Sequence, residues 1–176
     1  MKERELFTHY LKNQRNFREE NLHQANLEGL NLQRIDLTRA DLSGANLKET
    51  DLSGACLAQA NLTDADLSYS NLVGANLTEI NLIGADLSGA NLAGVNLTHA
   101  DLRCANLHNA NLTRANLKEV NLDGADLSGA NLCHTVIVNT DLSVADTTGA
   151  SLKDSQQCEL EQPLSDHSAN WVSWSG

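Results

Sequence analysis

No run of apolar residues in this chain approaches the roughly 20 that a membrane-spanning helix needs. Its start, Met1 to Gln14, is charged where a secretory signal would be apolar. These two absences predict a soluble, cytoplasmic protein with no membrane contact. Basic residues are also scarce: 12 Lys and Arg stand against 23 Asp and Glu in 176 residues, a formal charge of -11. Affinity for nucleic acid rests largely on basic side chains meeting phosphates, so direct DNA or RNA binding is not expected, and a partner with a basic surface is. The four cysteines, Cys56, Cys104, Cys133 and Cys158, form no CxxC pair, which excludes the usual zinc and disulfide frameworks and leaves reduced thiols. The single proline, Pro163, lies near the end of the chain.

What the sequence has in abundance is a period of five, running without a gap from Arg15 to Asp154, or 28 pentads. With Ala40, Asp41, Leu42, Ser43 and Gly44 filling slots one to five, slot three is Leu in 25 pentads, departing only at Phe17, Ile137 and Thr147. Slot two is Asn or Asp in 25, failing at Cys56, Val136 and Ser151, and slot one is Ala in 17. Five steps of about 100° would smear the anchor around a helix, and an odd period would alternate it between the faces of a straight strand. The pattern that satisfies it is a three-residue extended piece, with slots one and three inward and slot two outward, followed by a corner at slots four and five. Ten of the 11 glycines sit in slot five, and slot four is Ser or Thr in 12 pentads, both of which suit a turn. Pro163 lies outside this repeat, as a backbone whose amides bond neighbouring coils requires. Four corners close a square, so the expectation is an all-β solenoid of about seven coils.

The consensus seen in Ala40-Asp41-Leu42, Ala85-Asp86-Leu87 and Ala125-Asp126-Leu127 resembles the pentapeptide-repeat family over 140 of the 176 residues. The resemblance implies a right-handed quadrilateral parallel β-helix, mostly in bacterial proteins and usually without an assigned activity. Three segments are expected: residues 1–14 as a capping helix with Leu6, Phe7, Tyr10 and Leu11 on one stripe, residues 15–154 as the β-helix, and residues 155–176 as an irregular tail, some of it disordered. Val136, Val138 and Val144 occupy slots that face outward, and an apolar patch there is expected to be covered by Trp171 and Trp174 of the tail. The alternative is a dimer contact, which the resemblance also suggests at this end, so the chain is read as a monomer or a C-terminal-end homodimer.

A Leu- and Ala-filled interior leaves no cavity for catalysis, and His23, His99, His108 and His134 fall on different coils and mostly different faces. No enzyme activity, cofactor or metal is expected. Short Asn and Asp side chains beside turns bond the local backbone, which is the simplest reading of slot two.

Charge supplies the candidate surface. With 20 residues per coil, the side centred on Leu22, Leu42 and their successors carries a net -5, and the side centred on Leu27 and Leu47 another -5, while the remaining two carry +1 and 0. Asp41, Asp64, Asp101, Asp123 and Asp141 mark the first acidic side, and Asp66, Asp86, Asp126 and Asp146 the second. Residues 49–102 hold seven acids and no Lys or Arg, about one charge per 2 Å, close to the one per about 1.7 Å of duplex DNA. Two functions follow as expectations. One is a scaffold for an unidentified protein partner. The other is an acidic DNA mimic, since the resemblance extends to proteins that protect DNA gyrase from quinolones by binding its DNA saddle. Those are generally longer or dimeric rods, some with projecting loops, whereas this repeat has no insertion.

Overall fold

The computed structural model describes residues 3–158, and its architecture follows from where each pentad sends its amide hydrogens. The slot-one N–H closes a four-residue turn onto the slot-three carbonyl before it, as Ala25 does to Leu22 at 3.0 Å. The slot-three and slot-five N–H groups reach forward to the next coil: Leu22 to the Asp41 carbonyl at 2.7 Å, and Gln24 to that of Ser43 at 2.9 Å. The slot-two N–H reaches back, as from Asp41 to the Glu20 carbonyl at 2.9 Å. Only slot four is left, and its N–H is taken by the slot-two side chain. All 25 slot-two Asn and Asp residues make this bond through Oδ1, at 2.8 to 3.3 Å. The Asn/Asp requirement is thus a backbone requirement, because a buried N–H left unpaired is costly.

The resulting ladder is parallel, with slot-two residues paired to those 20 positions on, from Asn16↔Asp36 through Asn131↔Ser151, except that Asn121 and Asp141 are not bridged. Five residues per side and 20 per coil make four sides. Pairing at most sides is confined to slot two, shorter than the three-residue pieces the sequence predicts, because the turn already begins at slot three. It lengthens only where β1 (Val136–Val138) pairs in parallel with β2 (Gln156–Cys158). There three consecutive β-branched residues favour extended backbone. β2 also carries the coil past residue 154 into a segment that the sequence reads as irregular. The sequence of 155–158 loses the period, yet the edge of β1 still offers backbone partners.

Leucines of slot three fill the interior, and those from Leu22 to Leu132 are all buried. Slot-one alanines lie between them, with Ala85, Ala90, Ala110 and Ala115 fully enclosed. Where slot one is Thr50 the hydroxyl donates to the Leu27 carbonyl of the preceding coil, and where it is Thr135 it donates to the Leu132 carbonyl of its own turn at 2.6 Å. The far end is looser, with Leu142 only partly buried and Leu152 36% exposed. At the other end, α1 (Glu3–Leu11) buries Leu6 completely in the same core. Tyr10 packs on that core and donates to the Gln33 carbonyl at 3.0 Å, while Arg15 lies 3.9 Å over its ring. Leu11, placed on the apolar stripe by its spacing, instead points outward at 69% exposure. Asn13 takes a φ of 67° just beyond the helix, a common way to end one.

Candidate interaction surface

The corner geometry decides which side chains reach solvent. Of the 28 slot-five residues, 27 have positive φ: ten glycines and 17 others, Glu49, Tyr69 and His99 among them. Glycine is therefore not required for the turn itself. At several corners it is required for space, because each slot-five side chain leans over the slot-five residue of the next coil. The Tyr69 ring lies on Gly89 so closely that a Cβ there would come within 2.7 Å of it. The exception in backbone is Val144, a β-branched residue for which positive φ is strongly unfavourable.

Slot-two carboxylates stack in columns along the rod. Asp66 pairs with Asp86, and Asp126 with Asp146, so one column presents two stacked carboxylate pairs on neighbouring coils, about 4.8 Å apart. Elsewhere an Asn amide intervenes and bonds the carboxylate or amide below, as Asn61 does to Asp41 at 3.3 Å and Asn111 to Asn91 at 3.1 Å. Each slot-two Asp uses Oδ1 on the backbone, and Oδ2 is taken up by Arg18 at Asp36, by Gln33 at Asp51 and by Arg103 at Asp101. Hydrogen bonds from Ser43, through its hydroxyl and its N–H, hold Asp41 below the usual carboxylate range, and burial opposes them only partly. Bonds from the hydroxyl and N–H of Ser143 and of Thr148 do the same for Asp141 and Asp146.

Ion pairs are distributed unevenly. Among the described residues, Arg18–Asp36, Arg39–Glu19, His99–Glu119 and Lys118–Glu119 all lie on the side whose charges sum to zero. A chain of corner side chains runs up that side, from Arg39 Nε to Gln59 at 2.7 Å and from Gln59 to Glu79 at 2.7 Å. On the acidic sides Asp101 pairs with Arg103, two residues away and bidentate at 2.8 to 3.1 Å. Asp101 is thereby held below its ordinary range, first by the Arg103 hydrogen bond, and is removed from the free acidic surface. The structure brings Asp66, Asp86, Asp126 and Asp146 into one column and Asp41 and Asp101 into the neighbouring one, with Asp141 on the same side but unpaired with Asn121, Asp64 at a corner and Asp123 in slot four. Val136 is 36% and Val144 40% exposed, on adjacent sides of the last described coil, with Val138 half-buried. Trp171 and Trp174 lie outside the described residues. The corner-to-corner chain was legible only by reading slot five at a spacing of 20, a column the charge tally summed without pairing.

His23 and His108 bond Ser43 and Ser128 at 2.8 Å, His99 joins Glu119, and no group of three or more His, Cys, Asp or Glu among the described residues is arranged to hold a metal. No described helix is long and apolar enough to cross a membrane.

A four-sided parallel β-solenoid with an Asx-capped corner every five residues defines the class of protein. The family model for pentapeptide repeats matches in overlapping copies across residues 21–129 and 125–156. The chain belongs to the pentapeptide-repeat family. Among solved structures it is similar to HetL, a pentapeptide repeat protein involved in heterocyst differentiation regulation from the cyanobacterium Nostoc sp. strain PCC 7120. The two are 30% identical over 89% of this chain and 94% of that one, with a TM-score of 0.37. It is also similar to Rfr23 of the cyanobacterium Cyanothece 51142, 29% identical over 86% of this chain and 97% of that one, TM-score 0.29. QnrB1, a plasmid-mediated fluoroquinolone resistance protein, matches at 18% identity over 81% and 84% with a TM-score of 0.53, a likeness of fold alone. The fold is the right-handed quadrilateral β-helix of that family. Among curated proteins none matches the sequence closely enough to be called a relative.

Proposed function

We propose that this protein is a non-catalytic, cytoplasmic interaction scaffold of about seven coils, capped by α1, that presents its two acidic sides to a partner with a basic surface. The observation that carries this reading is the uneven compensation of charge. Ion pairs gather on the side that is already neutral, while Asp66, Asp86, Asp126 and Asp146 have none among the described residues and are all at least partly exposed. Stacking like charges on adjacent strands costs stability, roughly 0.2–1 kcal/mol per pair, which a purely structural column would avoid with Asn. Elsewhere in the ladder no Asp pairs with another: Asp41, Asp51 and Asp101 each lie between two Asn. Solubility alone would be served as well by charges spread over four sides.

The same observation allows a narrower reading, an acidic DNA mimic acting on DNA gyrase. Residues 49–102 carry a charge density near that of duplex DNA. Against it, the described repeat has no projecting loop.

The test exploits the cap. Replacing all four aspartates by Asn (D66N/D86N/D126N/D146N) keeps the Oδ1 acceptor, so the fold should be equally or more stable in urea. Crosslinking in a bacterial extract should lose a salt-sensitive partner that wild type captures. A partner retained by the quadruple variant would remove the acidic column from the function. Gyrase supercoiling and quinolone-protection assays over a salt series separate the two readings, since only a mimic inhibits or protects.

A further inference from the structure

One side of the solenoid is unlike the other three. It runs through residues 30–34, 50–54 and so on to 150–154, and its charges are Asp51 and Asp154 against Arg34, Arg114 and Lys153. Between Asp51 and Arg114 it has none. Three consecutive corners along it, Gly54, Gly74 and Gly94, carry no side chain, and a Cβ at Gly74 or Gly94 would find nothing within 4 Å. Slot two there is Asn, with Asn71 bonded to Asp51 at 3.2 Å and Asn111 to Asn91 at 3.1 Å, and Val73 in slot four is 40% exposed. The middle of this side is therefore a flat, uncharged strip. Around it Arg34, Arg114, Lys153 and Asp154 have no ion-pair partner among the described residues.

The pattern along the side is complementary to itself when reversed. Turned antiparallel and laid face to face about a two-fold axis through the central coil, a second copy sets each residue against its own slot, the first coil against the last and Gly94 against Gly94. Arg34 then meets Asp154, and Asp154 meets Arg34. In the same row of corners His134 falls on Gly54 and Arg114 on Gly74, so each of these large side chains enters a gap left by glycine. On the other edge Glu49 falls on Gly129, and the ring of Tyr69, 65% exposed, on Asn109. Slot four brings Val73 to Thr113 and Lys153 to Gln33. No like charges meet. The other sides lack this property: two carry -5 each, and the third sets Glu79 on its own image.

We propose that this side joins two copies of the chain in a reversible, antiparallel dimer held by two Arg34–Asp154 ion pairs around the glycine corners. Seven coils about 4.8 Å apart and five residues of about 3.3 Å each bound the contact at roughly 34 by 16 Å, or about 1,100 Å² from both copies, near the lower limit of about 1,200 Å² for specific interfaces. The dimer is accordingly weak and forms with rising concentration. It places the Asp66–Asp146 columns of both copies on one flank, and it goes beyond the basic-partner reading without depending on it.

Sedimentation velocity of the full chain over rising concentration should show monomer passing to dimer and nothing larger. Arg34→Asp should weaken association about tenfold, and R34D/D154R, which exchanges the charges, should restore it. Gly94→Arg places like charges on the axis and should abolish the dimer, while the fold survives because Arg34, Arg39 and Arg114 already hold positive φ at corners. Ser53→Cys should form a disulfide with Cys133 of a second copy under mild oxidation, since within one chain the two lie four coils, about 19 Å, apart. A monomer at every concentration overturns the proposal. So does a dimer untouched by R34D and G94R, which would be an end-to-end contact through Val136 and Val144, or an open series of larger species, which would be this side docked on an acidic one. D66N/D86N/D126N/D146N should dimerise at least as well as wild type, so loss of the basic partner and loss of the dimer are separate results.

Discussion

The corners at 129 and 149 and at 124 and 144 belong to the same two coils, one side apart, and differ most plainly in Gly149 against Val144. At the first, φ is positive on both coils and the ladder continues through Asp126↔Asp146; at the second, Val144 departs and the Asn121–Asp141 pairing is lost. A solenoid of this kind tolerates Glu, Arg, His or Tyr at positive φ in 17 corners, because turn and intercoil hydrogen bonds together outweigh a strain of about 1–2 kcal/mol. It does not carry a β-branched residue through the same corner. Regularity is therefore set by one slot at a time, and coils behave as a stack of near-independent steps.

The largest test of that contrast is in the core. Leu87 is 1% exposed in the middle of the rod, so Leu87→Ala should cost about 3 kcal/mol. Leu142 is only partly buried beside the break, and Leu142→Ala should cost about 1 kcal/mol or less. Urea midpoints of the two variants check this, and equal losses would mean that the last coil is packed like the rest.

Corners come next. Gly129→Val imposes on a regular corner the residue found at the irregular one, and should cost about 2 kcal/mol through positive φ and contact with Asn109. The reverse exchange, Val144→Gly, should stabilise by about 1 kcal/mol at most, because ladder hydrogen bonds regained between 121 and 141 are partly offset by the unfolded-state entropy of glycine. Thermal unfolding of both reads the comparison directly; loss of stability in Val144→Gly would show that valine holds the last coil by packing.

Caps give a smaller effect. Asn91→Ala strands the Ala93 N–H and should cost about 1 kcal/mol. Cys56 already lacks this cap, so Cys56→Asn should gain a few tenths of that. Hydrogen exchange at Ala58 and Ala93 distinguishes a cap effect from a general loss.

Much of this was legible in the period of five. The buried leucines, the glycine corners, the 20-residue register and the placement of charge on two sides all follow from slot arithmetic, because in a solenoid each slot meets its own kind one coil away. The break was half legible. Val144 was visible as a departure, but as an exposed apolar group and not as a forbidden corner, since the amide balance that makes it matter appears only once every N–H has a partner. Leu11 and Gln156–Cys158 misled for a related reason: at both ends the repeat stops and local spacing no longer says what the neighbouring coil offers.

The smallest effect concerns pH and separates an acid that is paired from those that are free. Asp101 is held below its ordinary range first by the Arg103 hydrogen bond, and Asp41 first by that of Ser43. Depressed folded-state values mean that the unfolded chain takes up protons first as pH falls. Their contribution is then complete above the unfolded value of about 3.9 and is lost as pH drops through the folded values. Arg103→Gln removes the partner of Asp101 and leaves its cap on the slot-four N–H. Wild type should be slightly the more stable at pH 6, and the gap should narrow at pH 2, as protonation of the Asp101 carboxyl removes the charge that Arg103 meets. Urea midpoints at the two pH values check it. A gap that is undiminished at pH 2 would assign Arg103 a packing role along the side, and Asp101 would then rejoin Asp41 and Asp141 as part of the open acidic surface.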